Sequence, residues 1–301
     1  MPSLPPFDRP GLWLRGNLHT HTTNSDGKVS LEAAARWFAD HGYDFLAITD
    51  HNRVTPLPAD GAPLLLISGA EITAHRNGVD YHVLAIGVAG PSSGDGAPLP
   101  YHADPQKAIK AINAAGGLAI IAHPYWHDHT LNDLLPLEGH AGIEIFNSGC
   151  WLELQKGHSL VHWDLLLRRG QRIWGFAVDD CHWGYPDYGL GWVVVKAAAR
   201  ESSAILAALR AGEFYCSMGP QIYDVALDER LVTVRCSPAR AVYVTGDYNH
   251  CPNAIQARNG PSLTAVTVCL HPQQAYFRVE VVDAEGRSAW TQPVWVTSAD
   301  E

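Results

Sequence analysis

The first residues in this chain able to do chemistry together are two histidines one residue apart, in Asn17-Leu18-His19-Thr20-His21. On an extended strand, residues i and i+2 project to the same side, so a single metal ion could take both imidazoles. Alone, a His-x-His pair is more often a polar strand face than a ligand pair. Here further ligand-type residues recur at the ends of apolar runs. Asp50-His51 follows Phe45-Leu46-Ala47-Ile48-Thr49, Glu71 follows Leu64-Leu65-Leu66-Ile67, His123 follows Leu118-Ala119-Ile120-Ile121-Ala122, and Asp180-Cys181-His182 follows Trp174-Gly175-Phe176-Ala177-Val178. His82 begins an apolar run of its own and joins the set if that segment turns back beside the strand ending at Glu71. Imidazole and carboxylate donors suit zinc, manganese or iron(II), and paired ions of this kind turn water into hydroxide at neutral pH without a protein nucleophile.

Delivering these groups to one place requires strands whose C-terminal ends converge, as they do on one face of a β/α barrel. Strands are expected at Trp13 to His21, Phe45 to Asp50, Leu64 to Glu71, His82 to Val88, Leu118 to Pro124, Gly142 to Ser148, Arg172 to Val178 and Trp192 to Ala197, alternating with helical segments. Ser30 caps a helix that ends near Gly42, Asp104-Pro105 opens another that closes at Gly116-Gly117, and a third runs from Ser202 to Gly212. Beyond Ile222 the helical period gives way to alternating runs such as Tyr276 to Val282, which predict a small antiparallel β-sandwich. The expected organisation is therefore a domain over 1–221 and a second over 222–301.

Composition narrows the function classes. The 301 residues are 47% hydrophobic and 17% charged, with a formal net charge of −10, so a phosphate backbone would be repelled and stable nucleic-acid binding is not expected. No stretch approaches the ~20 apolar residues of a membrane span, and the N-terminus has no basic-then-apolar leader, so a cytoplasmic protein is expected. The six cysteines form no Cys-x-x-Cys pair and read as reduced thiols. No nucleotide-binding glycine fingerprint or Gly-x-Ser-x-Gly elbow is present.

The ligand-rich segments, with Ser25-Asp26-Gly27, Ala47-Ile48-Thr49-Asp50-His51-Asn52, Gly69-Ala70-Glu71, His82-Val83-Leu84 and Ala122-His123-Pro124, resemble the motif set of the polymerase-and-histidinol-phosphatase (PHP) superfamily over roughly residues 13 to 220. The wording is similar to two-domain phosphoesterases and to the carbaryl-hydrolase (CehA/McbA-like) branch. The resemblance implies a distorted seven-stranded β/α barrel holding two or three divalent ions, Mn, Zn or Fe. It implies that His19, His21, Glu71 and Asp180 hold one ion, that Glu71 bridges to a second held by His82 and His123, and that Asp26, His51 and His182 hold a third. Two departures stand out: Asp179, where many relatives carry a small residue, and Cys181 at the centre of the Asp-x-His motif. Three divalent ions against Glu71, Asp180, Asp26 and one hydroxide would leave a cationic pocket that selects an anion; with two ions the sum is neutral and suits an uncharged ester.

The remaining polar residues carry blander readings. Asp50 is expected to bond backbone or orient a neighbouring histidine rather than ligate. Arg53 and His158 are substrate-contact candidates, and Asp179 or a histidine such as His158 is the candidate proton donor to the leaving group. His75, Asn77, His127 and Lys28 read equally well as solvated side chains, and His41, His102, His140, His250 and His271 as structural or exposed. Asn147 and other amide or indole side chains near Asn147-Ser148-Gly149-Cys150-Trp151 could line the pocket, whereas Trp151 reads better as packing. The expected activity is phosphoester hydrolysis of a small anionic substrate. Carbamate, amide or carboxylic-ester hydrolysis is the alternative, and a non-catalytic metal-dependent binding module is the third reading.

Overall fold

The computed structural model describes residues 1–89, 101–248, 253–255 and 260–296, so His250 and Cys251 lie outside the described residues. The first part of the chain runs β1 (Leu12–Asn17), α1 (Leu31–Asp40), β2 (Phe45–Ile48), β3 (Leu65–Arg76), β4 (Val79–Ile86), α2 (Pro105–Ala114), β5 (Leu118–Ile121), α3 (Leu131–Leu134), β6 (Gly142–Asn147), α4 (Ser148–Leu154), α5 (Leu160–Arg168), β7 (Trp174–Val178), β8 (Trp192–Ala197), α6 (Ser202–Ala211) and β9 (Phe214–Ser217). It continues β10 (Ile222–Asp228), β11 (Leu231–Ala239), β12 (Ala241–Gly246), β13 (Asn253–Ile255), β14 (Leu263–Cys269), β15 (Tyr276–Val282), β16 (Ser288–Thr291) and β17 (Val294–Trp295). This is a mixed α/β fold built on one large sheet. Among the described residues no helix is long and apolar enough to cross a membrane.

Strands β2, β5 and β6 are buried at every residue, as continuous apolar runs covered on both faces should be. The helices behave as their punctuation predicts. Ser30 accepts a hydrogen bond from the Ala33 N–H at the start of α1, which buries Leu31, Ala34, Ala35 and Phe38 on one stripe. Asp104 caps α2 ahead of Pro105 while also gripping the Arg76 guanidinium with both oxygens at 2.7 and 2.8 Å.

Strand neighbours run β1-β2-β3-β4-β5-β6-β7, with parallel pairing for β1-β2, β2-β3, β5-β6 and β6-β7 and antiparallel pairing on both sides of β4. Past its last turn, β7 returns to the first strand through a parallel bridge between Thr20 and Cys181, with the His21 N–H donating to the Cys181 carbonyl at 3.1 Å. The expected separate strands 64–71 and 82–88 prove to be one hairpin. Arg76 pairs with Val79 across Asn77 and Gly78, both at positive φ, the backbone that an Asn-Gly hairpin turn requires. The strand expected to end at Ser148 stops at Asn147, and two helices, α4 and α5, follow before β7, neither of them among the three whose limits the sequence marks.

The C-terminal strands form no isolated pair of sheets. Strands β10, β11 and β14 make a three-stranded antiparallel sheet, but β12, β13, β15 and β16 extend the large sheet through the β16-β9 pairing, Trp290 opposite Cys216. A second core of Val232, Val234, Val242, Val244, Phe277 and Val279 fills the space between the two sheets. Buried Arg278 reaches back to Asp164 of α5 at 2.8 and 2.9 Å, and the Gln292 amide pairs with both the N–H and the carbonyl of Gly175 in β7 at 2.9 Å.

At the entrance to β6, His140 is 8% exposed and its Nδ1 donates to the Gly142 carbonyl. Burial pushes its pKa from 6.5 down to about 4. The unfolded chain therefore binds this proton more readily, so stability is fully present above 6.5 and is lost as pH falls through 6.5 toward 4. His140→Leu should abolish a destabilisation of about 2 kcal/mol that the parent shows between about pH 7.5 and pH 5. Urea unfolding of both proteins at the two pH values measures it, since both retain the same remaining histidines.

Candidate metal centre

The strand assignment of β1 stops at Asn17, yet the Thr20 bridge keeps the following residues extended enough for His19 and His21 to stay on one side, with their Nε2 atoms 3.1 Å apart. The β3-β4 hairpin sets Thr73 opposite His82 and so returns His82 to Glu71. Asp180 and His123 both adopt positive φ, 55° and 27°, a costly backbone for residues with a Cβ that clusters at functional sites.

Glu71 is the meeting point. Its Oε2 lies 3.1 Å from His19 Nε2, 3.2 Å from His21 Nε2 and 3.1 Å from His51 Nδ1, while Oε1 lies 2.7 Å from His82 Nδ1 and 3.0 Å from His123 Nε2. Asp180 Oδ1 completes one group at 3.1 and 3.0 Å from His19 and His21. On the solvent side, Asp26 Oδ2 stands 3.6 Å from His51 and 3.4 Å from His182. The candidate ligand sets are thus His19, His21, Glu71 and Asp180; His51, Glu71 and His82; His82, His123 and His127; and His21, Asp26, His51 and His182. All the ligand positions named from sequence come together.

These donors fit a divalent cation. Separations near 3 Å are those of ligand atoms held roughly 2.0–2.2 Å from a common ion. Glu71 is 1% exposed and its Oε2, although 3.1 to 3.2 Å from three imidazole nitrogens, has no well-aligned hydrogen-bond donor among the described residues, an expensive arrangement for a carboxylate unless a cation completes it. The electrostatics agree. Burial alone would lower the His19 pKa, but the carboxylates of Asp180, Glu71 and Glu144 outweigh it and raise it well above 6.5. Burial likewise opposes the change at His21, where Asp180 and Glu71 push the pKa up to about 9. Against their own burial, Glu71 and Asp180 are held well below the ordinary carboxylate range by the surrounding imidazoles.

A residue missed from sequence supports the set. Glu144 in β6 is 1% exposed; it accepts from His19 Nδ1 at 2.7 Å and from the His123 backbone N–H at 2.8 Å, and Asn147 Nδ2 donates to it at 2.9 Å. With Nδ1 donating to Glu144, the neutral imidazole that a metal ion requires turns its Nε2 lone pair to the cluster. The signal was available: a carboxylate in the otherwise apolar run Gly-Ile-Glu-Ile-Phe of a fully buried strand has to be paired. A second missed residue, His127, stands behind the set with its ring 4.8 Å from that of His82 and 5.0 Å from that of His123.

The proton-donor expectation for Asp179 is corrected. Its carboxylate accepts from the N–H groups of Gly189, Leu190 and Gly191 at 2.7 to 2.9 Å, from Ser148 Oγ at 3.1 Å and from Asn17. Burial pushes its pKa up to about 6 against these donors, but the group is wholly enclosed and absent from the cavity wall; it pins the loop following β7. His158 is also elsewhere, against Phe146 and Trp290 at ring separations of 4.9 and 6.4 Å. Arg53 donates to the Asn24 carbonyl at 3.0 Å and does not line the cavity. Asp50 accepts from the Thr22 N–H at 2.7 Å, Ser25 Oγ at 2.8 Å and the Thr55 hydroxyl, which holds the loop that carries Asp26. Cys181 is buried in packing around α1, and Trp151 packs against the main core.

The cluster opens into a cavity of about 290 Å³ whose remaining wall is Trp126, Gly149, Cys150, Glu153 and Tyr185. Burial and the Asp180 carboxylate push the Cys150 thiol far up, so it is no thiolate nucleophile. Glu144→Gln should weaken divalent-metal affinity about 10- to 100-fold, the usual cost of losing an imidazole's outer partner. Titration calorimetry of chelator-stripped protein reads it, with far-UV circular dichroism confirming an unchanged fold.

No protein-family profile and no curated protein matches the sequence. Among solved structures, the chain is similar to a two-domain protein from Bacteroides vulgatus containing a predicted PHP-like metal-dependent phosphoesterase, with 17% identity, a TM-score of 0.53, and 96% of this chain and 88% of that chain covered. It also aligns with a putative metal-dependent phosphoesterase from Bifidobacterium adolescentis, with 19% identity, a TM-score of 0.42, and 57% of this chain and 89% of that one covered. An amidohydrolase from Chromobacterium violaceum with bound sulfate and no metal aligns at 18% identity and a TM-score of 0.44 over 56% of this chain and 87% of that one. The first likeness establishes a shared fold across nearly the whole chain.

Proposed function

We propose that the chain is a PHP-superfamily metallohydrolase that cleaves phosphoesters. The observation that carries the reading is Glu71, a buried carboxylate placed 2.7 to 3.2 Å from five imidazoles, with one oxygen lacking a well-aligned donor among the described residues. In this reading strands β1 to β7 form the distorted seven-stranded barrel, residues 1–221 are the hydrolase domain, and 222–301 are a β-sandwich-like domain sharing a sheet with it. His19, His21, Glu71 and Asp180 hold one ion, Glu71 with His82 and His123 a second, and Asp26, His51 and His182 a third, drawn from Mn, Zn or Fe.

Two or three such ions supply Lewis acidity, oxygen coordination for the phosphoryl group and a water acidified to near neutrality. The chain's own residues set the geometry. Glu144 fixes the His19 ring so that Nε2 faces inward, Asn147 steadies both Glu144 and Asp180, and Asp50 holds the loop that presents Asp26. Burial of His19, His21, Glu71 and Asp180 keeps bulk water from competing for the ions. Asp26 and His182 are the ligands nearest solvent, at the face where an ester would enter.

Hydrolysis of a carbamate, amide or carboxylic ester is the second reading. It is favoured by the cavity wall, which among the described residues includes no Lys or Arg to reward a large negative charge. Chelator-stripped protein reloaded separately with Mn, Zn and Fe, then assayed on aryl phosphomonoesters, phosphodiesters and carbamates, separates the readings. Phosphoester turnover that needs metal is expected, and His21→Ala or Asp180→Ala should lower kcat by more than about a hundredfold with the fold retained. Undiminished turnover in the stripped protein would overturn the proposal.

A further inference from the structure

Once the metal ligands are set aside, the cavity wall has an unusual chemical character: an indole, a phenol, a neutral thiol, a glycine and a carboxylate, with no cationic side chain. The Trp126 ring stands 5.3 Å from the His123 ring and 6.4 Å from the His82 ring, directly beside the ligand cluster. Its Nε1 donates to Glu153 Oε2 at 3.1 Å, which ties the loop after β5 to α4 and leaves Glu153 Oε1 without a protein donor. Tyr185 follows His182 by three residues on the opposite approach and lines the same cavity. An aromatic face attracts a cation through its quadrupole, and a carboxylate at the same rim adds direct Coulomb attraction. The same combination repels an anionic substituent. A negatively charged organic group would meet Glu153 with nothing positive beyond the ions to offset it.

We infer that Trp126, Glu153 and Tyr185 form a subsite for the organic part of the substrate, and that it selects an ammonium-bearing alcohol. The substrate class is then a zwitterionic phosphoester: a phosphoryl anion at the metal cluster and a cationic amine about one cavity width away. This rests on the hydrolase reading for its chemistry but not for its binding preference. It also reconciles an anion-seeking metal cluster with an acidic rim, because the two charges of one ligand go to different walls.

The test uses metal-loaded full-length protein and two soluble probes of nearly the same shape, choline and its uncharged isostere 3,3-dimethylbutanol, with affinities read by ligand-observed NMR titration. Choline should bind about tenfold more tightly than the isostere. Glu153→Gln keeps an acceptor for the indole and lies on an exposed helical position, so it should fold normally and bring the ratio close to one. Glu153→Lys should make choline the weaker ligand, and Trp126→Leu should weaken both. In parallel, the kcat/KM ratio for the p-nitrophenyl ester of phosphorylcholine over ethyl p-nitrophenyl phosphate should fall in Glu153→Gln by the same factor as the binding ratio. Equal affinity of the two probes for the parent protein, or a ratio that the Glu153 variants leave unmoved, overturns the subsite. If the choline preference holds and responds to Glu153 while neither ester is cleaved, the subsite stands and the phosphoesterase reading fails.

Discussion

Removing the Glu71 carboxylate from water costs several kcal/mol unless opposite charge surrounds it, and that cost organises the site. Five imidazoles compensate it from four different segments, so the histidines, their loops and the strands beneath them are all bound to one point of negative charge. Asp180 adds a second carboxylate to the same imidazoles and deepens the demand for cations. The result is a place where divalent ions complete the charge balance, framed by a backbone that accepts left-handed φ at His123 and Asp180 in order to aim them.

Around this point the fold works as a holder. The parallel strands deliver their C-terminal ends to one face, the Asn77-Gly78 turn sends β4 back so that His82 reaches the cluster from the other direction, and the Thr20–Cys181 bridge brings the first and last ligand loops together. A further layer fixes what the strands deliver. Glu144 orients His19, Asp50 anchors the Asp26 loop, and Asp179 ties down residues 189–191 next to the Asp180–His182 segment. Asp179 thus resembles a functional acid in sequence and serves as a loop anchor in space, and Asp50 holds its loop much as its place at a strand end suggests. A carboxylate whose lone pairs are already filled by backbone N–H groups is poorly placed to exchange protons with a ligand.

The cavity then divides its labour. One wall is built of imidazoles and carboxylates, whereas the wall of Trp126, Glu153 and Tyr185 is aromatic and acidic; under the proposed reading, different parts of one substrate would meet opposite signs of potential. The C-terminal strands contribute no residue to this cavity among the described residues. Their connection to the part of the chain that carries the cluster is mechanical, through the shared sheet, the Arg278–Asp164 pair and the Gln292–Gly175 amide contacts.

Much of the site was legible in the amino-acid sequence because ligand chemistry is local. Carboxylates and histidines placed directly after apolar runs mark the ends of β2, β5 and β7, whereas β3 runs on past Glu71 to Arg76; Ser30, Asp104-Pro105 and Gly212 mark helix limits, all through short-range backbone and side-chain preferences. The α/β class followed from the alternation of those runs. What only the tertiary structure decided were relations between residues far apart in the chain: that Glu144 faces His19 across 125 positions, that Asp179 spends its oxygens on a loop ten residues on, that Arg53 and His158 turn away from the cavity, and that the C-terminal strands join the large sheet. Each depends on where a side chain points once distant strands have paired. Local preferences set the elements, whereas burial and charge compensation across the whole chain set the partners.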